Sequence, residues 1–402
     1  MGGLAFYDLG CFCAVLLFYP IQGLSIGYFG QNITFFGNTN ILTLPLILSI
    51  VLASYFVGSA YLRIIGFSPD ISERNLFSFV IGWGILAYLA MGLAAVGLLN
   101  ENYVVGLLST VIIAGFLKWR TVYRRLLLVP GSIRAVWSNS NGIEKCMWVV
   151  LLWIFAWNIL DVLAPPSVAD SLAYHFRIPY EYVKAAKLVY NPFLPHNAPH
   201  LAELFSVFSF VFDNEISAHA QFYFFNVVLA WLIIAFASKY FDRITGLLAA
   251  VIFFSLPEIT DIKSAGYVEI SLLVCTFGSL WAVWEGFCGA KEHSRAWFIL
   301  AGSLLGLACS VKYYGLFSLA VVSLFLVCIV IRLKLKNESV GPTRVLWFYG
   351  ALFIFGSPFY IKNVLFTGNP LYPAFYEFFG GIDWSIEKGT LFKAMAHAQK
   401  CL

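Results

Sequence analysis

What most constrains this chain is the recurrence of long apolar runs from residue 8 to residue 361. A hydrocarbon core takes about 20 consecutive apolar residues of helix to cross, and runs near that length follow one another along most of the sequence. They lack the strand alternation with polar positions that a lumen would require, which argues against a β-barrel. Charged residues make up 11% of the chain, against about 25% in an ordinary soluble domain. The class is an all-α polytopic membrane protein.

Spans are expected at 8–29, 41–62, 76–98, 102–119, 146–164, 217–237, 244–257, 265–286, 296–311, 314–331 and 345–361. That makes about eleven transmembrane helices of roughly 20 residues. The N-terminus has no basic segment before its first apolar run, so that run reads as a retained span, not a cleaved signal. The eight cysteines fall mostly inside apolar runs with no metal-type spacing, as expected of small buried hydrophobes. Gly-rich phosphate loops and nucleic-acid motifs are absent from the sequence, so neither a nucleotide cofactor nor a nucleic-acid partner is expected.

Basic residues orient the spans. Lys118, Arg120, Arg124, Arg125, Arg134 and Lys145 mark a cytoplasmic loop. If 199–212 crosses the membrane, Lys239, Arg243, Lys291, Arg295, Arg332, Lys334 and Lys336 all fall outside. If it stays at the outer interface or re-enters, all fall inside, and the rule holds. The second reading puts the N-terminus in the cytoplasm. It also brings loop 164–215, turn 257–264, Lys312 and the segment from 362 onward to one extracytoplasmic face. The expected organisation is a four-span N-terminal extension (1–119), a basic cytoplasmic linker (120–145), a membrane core (146–375) and an extracytoplasmic tail (376–402). That tail reads either as a short terminus or as an edge before further spans.

One loop breaks the apolar pattern. Asp170, Tyr174, His175, Arg177, His196, His200 and Glu203 lie between two expected spans, among Pro179, Pro192, Pro195 and Pro199. Three of the six histidines fall there. So dense a group of ionisable residues in such a chain points to binding or chemistry.

Asp170-x-x-x-Tyr174-His175, followed by a Pro-rich stretch ending Pro199-His-Leu-Ala-Glu203, resembles the first outer loop of GT-C glycosyltransferases. The likeness is to the protein O-mannosyltransferase and lipid A aminoarabinose transferase group. It continues with Leu256-Pro257 before Ala265-Gly-Tyr267-Val-Glu269, with Ala308-Cys-Ser-Val-Lys312-Tyr-Tyr-Gly315, and with Pro358-Phe-Tyr360-Ile-Lys-Asn363 and Thr367-Gly-Asn369-Pro-Leu-Tyr372-Pro373. These motifs cover about 146–375. The sequence departs from the family at Ser171, where many members carry a second acidic residue, and in its N-terminal extension.

The resemblance implies a GT-C-like fold whose large first extracytoplasmic loop carries juxtamembrane helices. The implied reaction transfers a sugar from a polyprenyl-phosphate donor to a hydroxyl of a lipid, glycan or protein acceptor, at a bacterial inner (plasma) membrane. Asp170 is the candidate general base, because a carboxylate in a partly dry loop accepts a proton more readily. The alternative is a helix N-cap at Ser171. Lys312 interrupts an apolar stretch and suits the donor phosphate as a point charge, or it snorkels. Arg177 grips the phosphate, or pairs with Glu181 at i,i+4. Tyr174, His175, Glu203, Glu269 and Tyr313 are candidate substrate contacts, with Glu269 alternatively holding Lys312. His196, His200 and Glu203 are candidate ligands for a divalent metal ion, although Pro199 breaks the helical spacing. Asp161 is expected to be buried and structural. A transporter or lipid flippase is the competing function. It would place polar sites near the midplane, within repeats, whereas here they gather at one face. A non-catalytic scaffold is the third reading.

Overall fold

The computed structural model describes residues 39–67, 70–117, 134–163, 168–259, 266–289, 291–336 and 342–390, with Pro166 and two strand dipeptides, Ser25–Ile26 and Ile33–Thr34. The dipeptides pair antiparallel; the other described elements are helical. Among the described residues, eight helices are long and apolar enough to cross a membrane. They are α1 (Thr39–Ile64), α2 (Ile71–Ala95), α4 (Gly142–Leu163), α8 (Glu215–Tyr240), α10 (Glu269–Cys288), α11 (Ser294–Val311), α12 (Tyr314–Leu335) and α13 (Pro342–Thr367). Between them lie α3 (Glu101–Phe116), α5 (Arg177–Ala185), α6 (Leu201–Phe205), α7 (Val207–Phe210) and α9 (Arg243–Ser255).

Eleven spans were expected. The one at 8–29 lies outside the described residues, apart from Ser25–Ile26. Those at 102–119 and 244–257 correspond to α3 and α9, of 16 and 13 residues. At 1.5 Å per residue these are about 24 and 20 Å long, short of a core roughly 30 Å thick. Much of the basic linker, 118–133, also lies outside the described residues, as does 391–402.

Helix α11 is the axis of the bundle and is buried along almost its whole length. It packs along α13 and α10. A Cβ on Gly302 would stand 2.0 Å from the carbonyl oxygen of Phe348, and one on Gly306 would stand 2.7 Å from the Cβ of Phe355. Two glycines four residues apart let the α11 and α13 backbones meet, the small-residue packing typical of membrane helices. Polar pairs add to it: Tyr61 Oη and Ser303 Oγ are 2.6 Å apart, and Tyr88 Oη donates to Ser310 Oγ at 2.7 Å. Tyr61 and Tyr88 belong to α1 and α2, while Trp83 of α2 stacks edge-on to Phe205 and Phe225. Helices α1 and α2 are therefore part of the core. By contrast α4 is mostly exposed, and Asp161 near its end is exposed too. The expectation of a buried Asp161 fails because α4 covers only one flank of the bundle.

At one end of the bundle, Lys239 of α8 contacts Glu73 of α2 at 2.6 Å and also Glu285 of α10. This cluster ties three helices together. Glu269 begins α10 and Glu285 lies near its C-terminus, so Glu269 and the polar loops sit at the other end.

Candidate functional site

The polar loop folds through a sequence of local stops. Residues Ser171–His175 form one π-helical turn, continued by α5. Helix α5 ends at Ala186, whose left-handed φ of 54° lets Lys187 N–H bond back to the Tyr182 carbonyl at 3.2 Å. The Pro-rich stretch cannot continue as α-helix and makes a single 3-10 turn, Leu194–Asn197. The chain then enters α6 and α7. All ten residues from Leu201 to Phe210 are buried, and at about 15 Å this broken segment is too short to cross a bilayer. Irregular backbone at such depth is tolerated where protein covers it.

These stops fold the loop so that His175 meets Glu203. His175 Nδ1 lies 2.7 Å from Glu203 Oε1, and both side chains are buried. Tyr174 donates to Asp170 Oδ2 at 3.3 Å. Asp170 is exposed and precedes the π-turn, yet it makes no side-chain capping bond, so the structure does not support the N-cap alternative. The Tyr174 phenol is held above its ordinary pKa by burial and by the carboxylates of Asp170, Glu203 and Glu269.

Lys312 sits between α11 and α12 and contacts Glu269 Oε1 at 2.7 Å. Burial alone would lower the Lys312 pKa, but Glu269 and the nearby Glu203 raise it, so the ammonium stays charged. Gly315 makes this turn possible, since a Cβ there would lie 2.2 Å from the Ala308 carbonyl oxygen. Asp170, Tyr174, His175, Glu203, Glu269 and Lys312 thus form one constellation, drawn from three separate parts of the chain. Three of its buried atoms have no hydrogen-bond partner among the described residues: His175 Nε2, Glu203 Oε2 and Glu269 Oε2.

The remaining predicted site residues lie in other networks. Arg177 contacts Glu181 at 2.6 Å, the i,i+4 alternative. Tyr313 donates to the Tyr372 carbonyl at 2.8 Å and accepts from Asn363 Nδ2 at 3.0 Å, which braces the segment after α13. His196, His200 and Glu203 do not converge as a ligand set. His196 Nε2 contacts Glu181 Oε2 at 2.9 Å. Both His200 ring nitrogens are engaged, with Tyr182 Oη and the Ala198 carbonyl. Among the described residues, no group of three potential ligands is placed to hold a metal. Burial lowers the pKa of both His196 and His200, so both rings are neutral near pH 7.

The sequence motifs assign no role to Lys362. It is 3% exposed, and its Nζ donates to the His196 carbonyl at 2.8 Å. The available signal was a lysine between Ile361 and Asn363 in an otherwise apolar helix. Asn369 was likewise unassigned. It organises the chain after α13, donating to the carbonyls of Ala374 and Gly380 at 2.9 and 3.1 Å.

The chain belongs to a domain family of unknown function, DUF8201, whose profile matches residues 196–401. That match includes Glu203, Glu269, Lys312 and Lys362 and begins after Asp170, Tyr174 and His175. No curated protein and no solved structure matches the chain.

Proposed function

We propose that this protein is a membrane glycosyltransferase of the GT-C type. It moves a sugar from a polyprenyl-phosphate donor to an acceptor hydroxyl at the extracytoplasmic face of a bacterial plasma membrane. The observation that carries this reading is the convergence of Asp170, Tyr174, His175–Glu203 and Glu269–Lys312 at one end of an apolar helix bundle. A lipid-linked donor keeps its tail in the bilayer, so its chemistry belongs where membrane helices end.

Asp170, exposed and accepting from Tyr174, takes the acceptor's proton as the new glycosidic bond forms. The bond between the sugar carbon and the donor phosphate oxygen breaks, and the polyprenyl phosphate leaves with the bonding electrons. Lys312 stabilises that departing charge. Glu269 holds the ammonium through one of its three N–H groups and leaves two for a phosphate. His175 Nε2, Glu203 Oε2 and Glu269 Oε2 are buried polar atoms that sugar hydroxyls can satisfy; leaving them unsatisfied costs about 1–3 kcal/mol each.

The test is transfer from radiolabelled short-chain polyprenyl-phosphate hexoses in proteoliposomes, comparing wild type with Asp170→Asn. The amide preserves size but cannot take the proton, so turnover should fall by at least about a hundred-fold. Near-wild-type turnover in the variant would remove Asp170 as the base. If neither protein transfers from any donor of the panel, the glycosyltransferase reading loses its support.

A further inference from the structure

A second cationic site lies apart from the Lys312–Glu269 pair. A cavity of about 510 Å³ opens between the C-terminal end of α2 and the last turns of α13. Two lysines, Lys187 and Lys362, line it, and among the described residues no acidic one does. Pro358, Ile361, Leu365 and Phe366 form its α13 wall.

Lys362 is the unusual member. Its buried ammonium makes one hydrogen bond, to the His196 carbonyl, and the rings of Phe359 and Phe366 lie 5.9 and 5.8 Å from it. Among the described residues no carboxylate pairs with it. An ammonium removed from water needs an anion or several strong acceptors, and a single carbonyl leaves two of its N–H groups to find partners. Lys312 differs, because it is paired with a carboxylate, Glu269. Lys187 stands exposed on the same cavity. The mouth is open at Gly97, where φ is 76° and no heavy atom lies within 4 Å of a Cβ position.

The apolar wall continues onto the outside of the bundle. Ile361 and Leu365 are 52% and 77% exposed, on a helix long and apolar enough to span a membrane. A ligand here meets two lysine amino groups at its head, able to donate hydrogen bonds to an anion, and an aliphatic surface along its length.

We propose that this cavity binds a phosphate-bearing membrane lipid, its phosphate between Lys362 and Lys187 and its acyl chains against Ile361 and Leu365. The site is distinct from the Lys312–Glu269 constellation, and the proposal stands whether or not the chain transfers sugar.

The test is native mass spectrometry of the detergent-purified, delipidated protein titrated with dioleoyl phosphatidic acid. Dioleoylglycerol and inorganic phosphate serve as the two controls. Wild type should retain one phosphatidic acid, bind dioleoylglycerol at least about tenfold more weakly, and keep the lipid in millimolar inorganic phosphate. Lys362→Met should weaken retention by about tenfold or more, the loss expected for a charge-assisted contact. Lys187→Glu should weaken it too, and because Lys187 is exposed this variant leaves the fold intact if Lys362→Met does not. The proposal is overturned by unchanged retention in Lys187→Glu, by equal binding of dioleoylglycerol, or by displacement with inorganic phosphate. Those last two results would mark, respectively, an apolar groove and a soluble-anion site.

Discussion

His175 and Glu203, 28 residues apart in sequence, face each other at 2.7 Å inside the protein, and each keeps a buried atom with no partner among the described residues. A pair of this kind has strongly coupled energetics. Removing one member strands the other, at a cost of about 1–3 kcal/mol, whereas replacing both by apolar groups removes the stranded polar group as well. Glu203→Leu and His175→Leu should each lower the unfolding midpoint in detergent. The double variant should be less destabilised than the sum of the two by about 1–3 kcal/mol. Strict additivity would mean that the two side chains do not interact.

Acid should loosen the polar loop, and the sign follows from the histidines. Burial depresses the pKa of His200 and, despite Glu181, that of His196. An unfolded imidazole takes up a proton near pH 6.5, while the folded rings resist it. The unfolded chain therefore binds more protons below that pH, and stability falls as pH drops, by up to about 1.4 kcal/mol per pH unit for each ring. Glu181 adds an acid limb at lower pH. Burial alone would raise its pKa, but Arg177, His196 and Asn191 lower it, so its contribution is present above its unfolded value and lost as pH falls through the folded one. Unfolding midpoints measured from pH 8 to pH 5 should decline, and His200→Gln should flatten the decline. A wild-type midpoint that does not move across this range would refute the assignment.

Much of the architecture was legible because apolar run length and charge placement are local properties. The helical membrane class follows from them, and so does the gathering of loop 170–203, Glu269 and Lys312 at one end. The Glu269–Lys312 contact was readable as one of two alternatives, because each is a lone charge at the edge of an apolar run. The His175–Glu203 contact was not readable. It depends on the stop at Ala186, the Pro-rich 3-10 turn and the burial of α6, none of which leaves a periodic signal. Arg177 and Tyr313 were chemically suitable, but their neighbours Glu181, Tyr372 and Asn363 engage them. Lys362 escaped notice because a lysine near the end of an apolar helix ordinarily reads as a snorkelling residue; the fold buries it instead. Helices α3 and α9 are mostly apolar beyond their first turns, and what makes them short is where their helical backbone stops.

The α11–α13 contact should tolerate no added side chain. At Gly302 a new Cβ meets the Phe348 backbone, which cannot rotate away as a side chain could. Overpacking of this kind typically costs about 1–3 kcal/mol, and sometimes more. Gly302→Ala should therefore reduce the yield of folded protein and lower its unfolding midpoint. Gly350→Ala is the control, because no heavy atom lies within 4 Å of that position on the same helix pair. Equal behaviour of the two variants would mean that α11 and α13 are not in backbone contact.

Lys312 and Glu269 offer a way to separate phosphate binding from mere cohesion. If the pair serves only to tie α10 to the turn after α11, Lys312→Ala and Glu269→Gln should both reduce stability, and neither should change donor dependence selectively. If Lys312 holds the donor phosphate, the two variants diverge. Lys312→Ala loses a charge-assisted contact of about 1.5–3 kcal/mol, so apparent donor affinity should fall by about ten- to a hundred-fold at saturating acceptor. Glu269→Gln keeps an oxygen that can accept from the lysine at the present 2.7 Å but removes the charge that competes with phosphate, so donor affinity should hold or rise. Lys312→Arg should recover part of the loss, since charge survives while point geometry does not. Donor titrations on the three variants, read beside their unfolding midpoints, decide the matter: parallel losses of stability with unchanged donor dependence would leave Lys312 a structural tie.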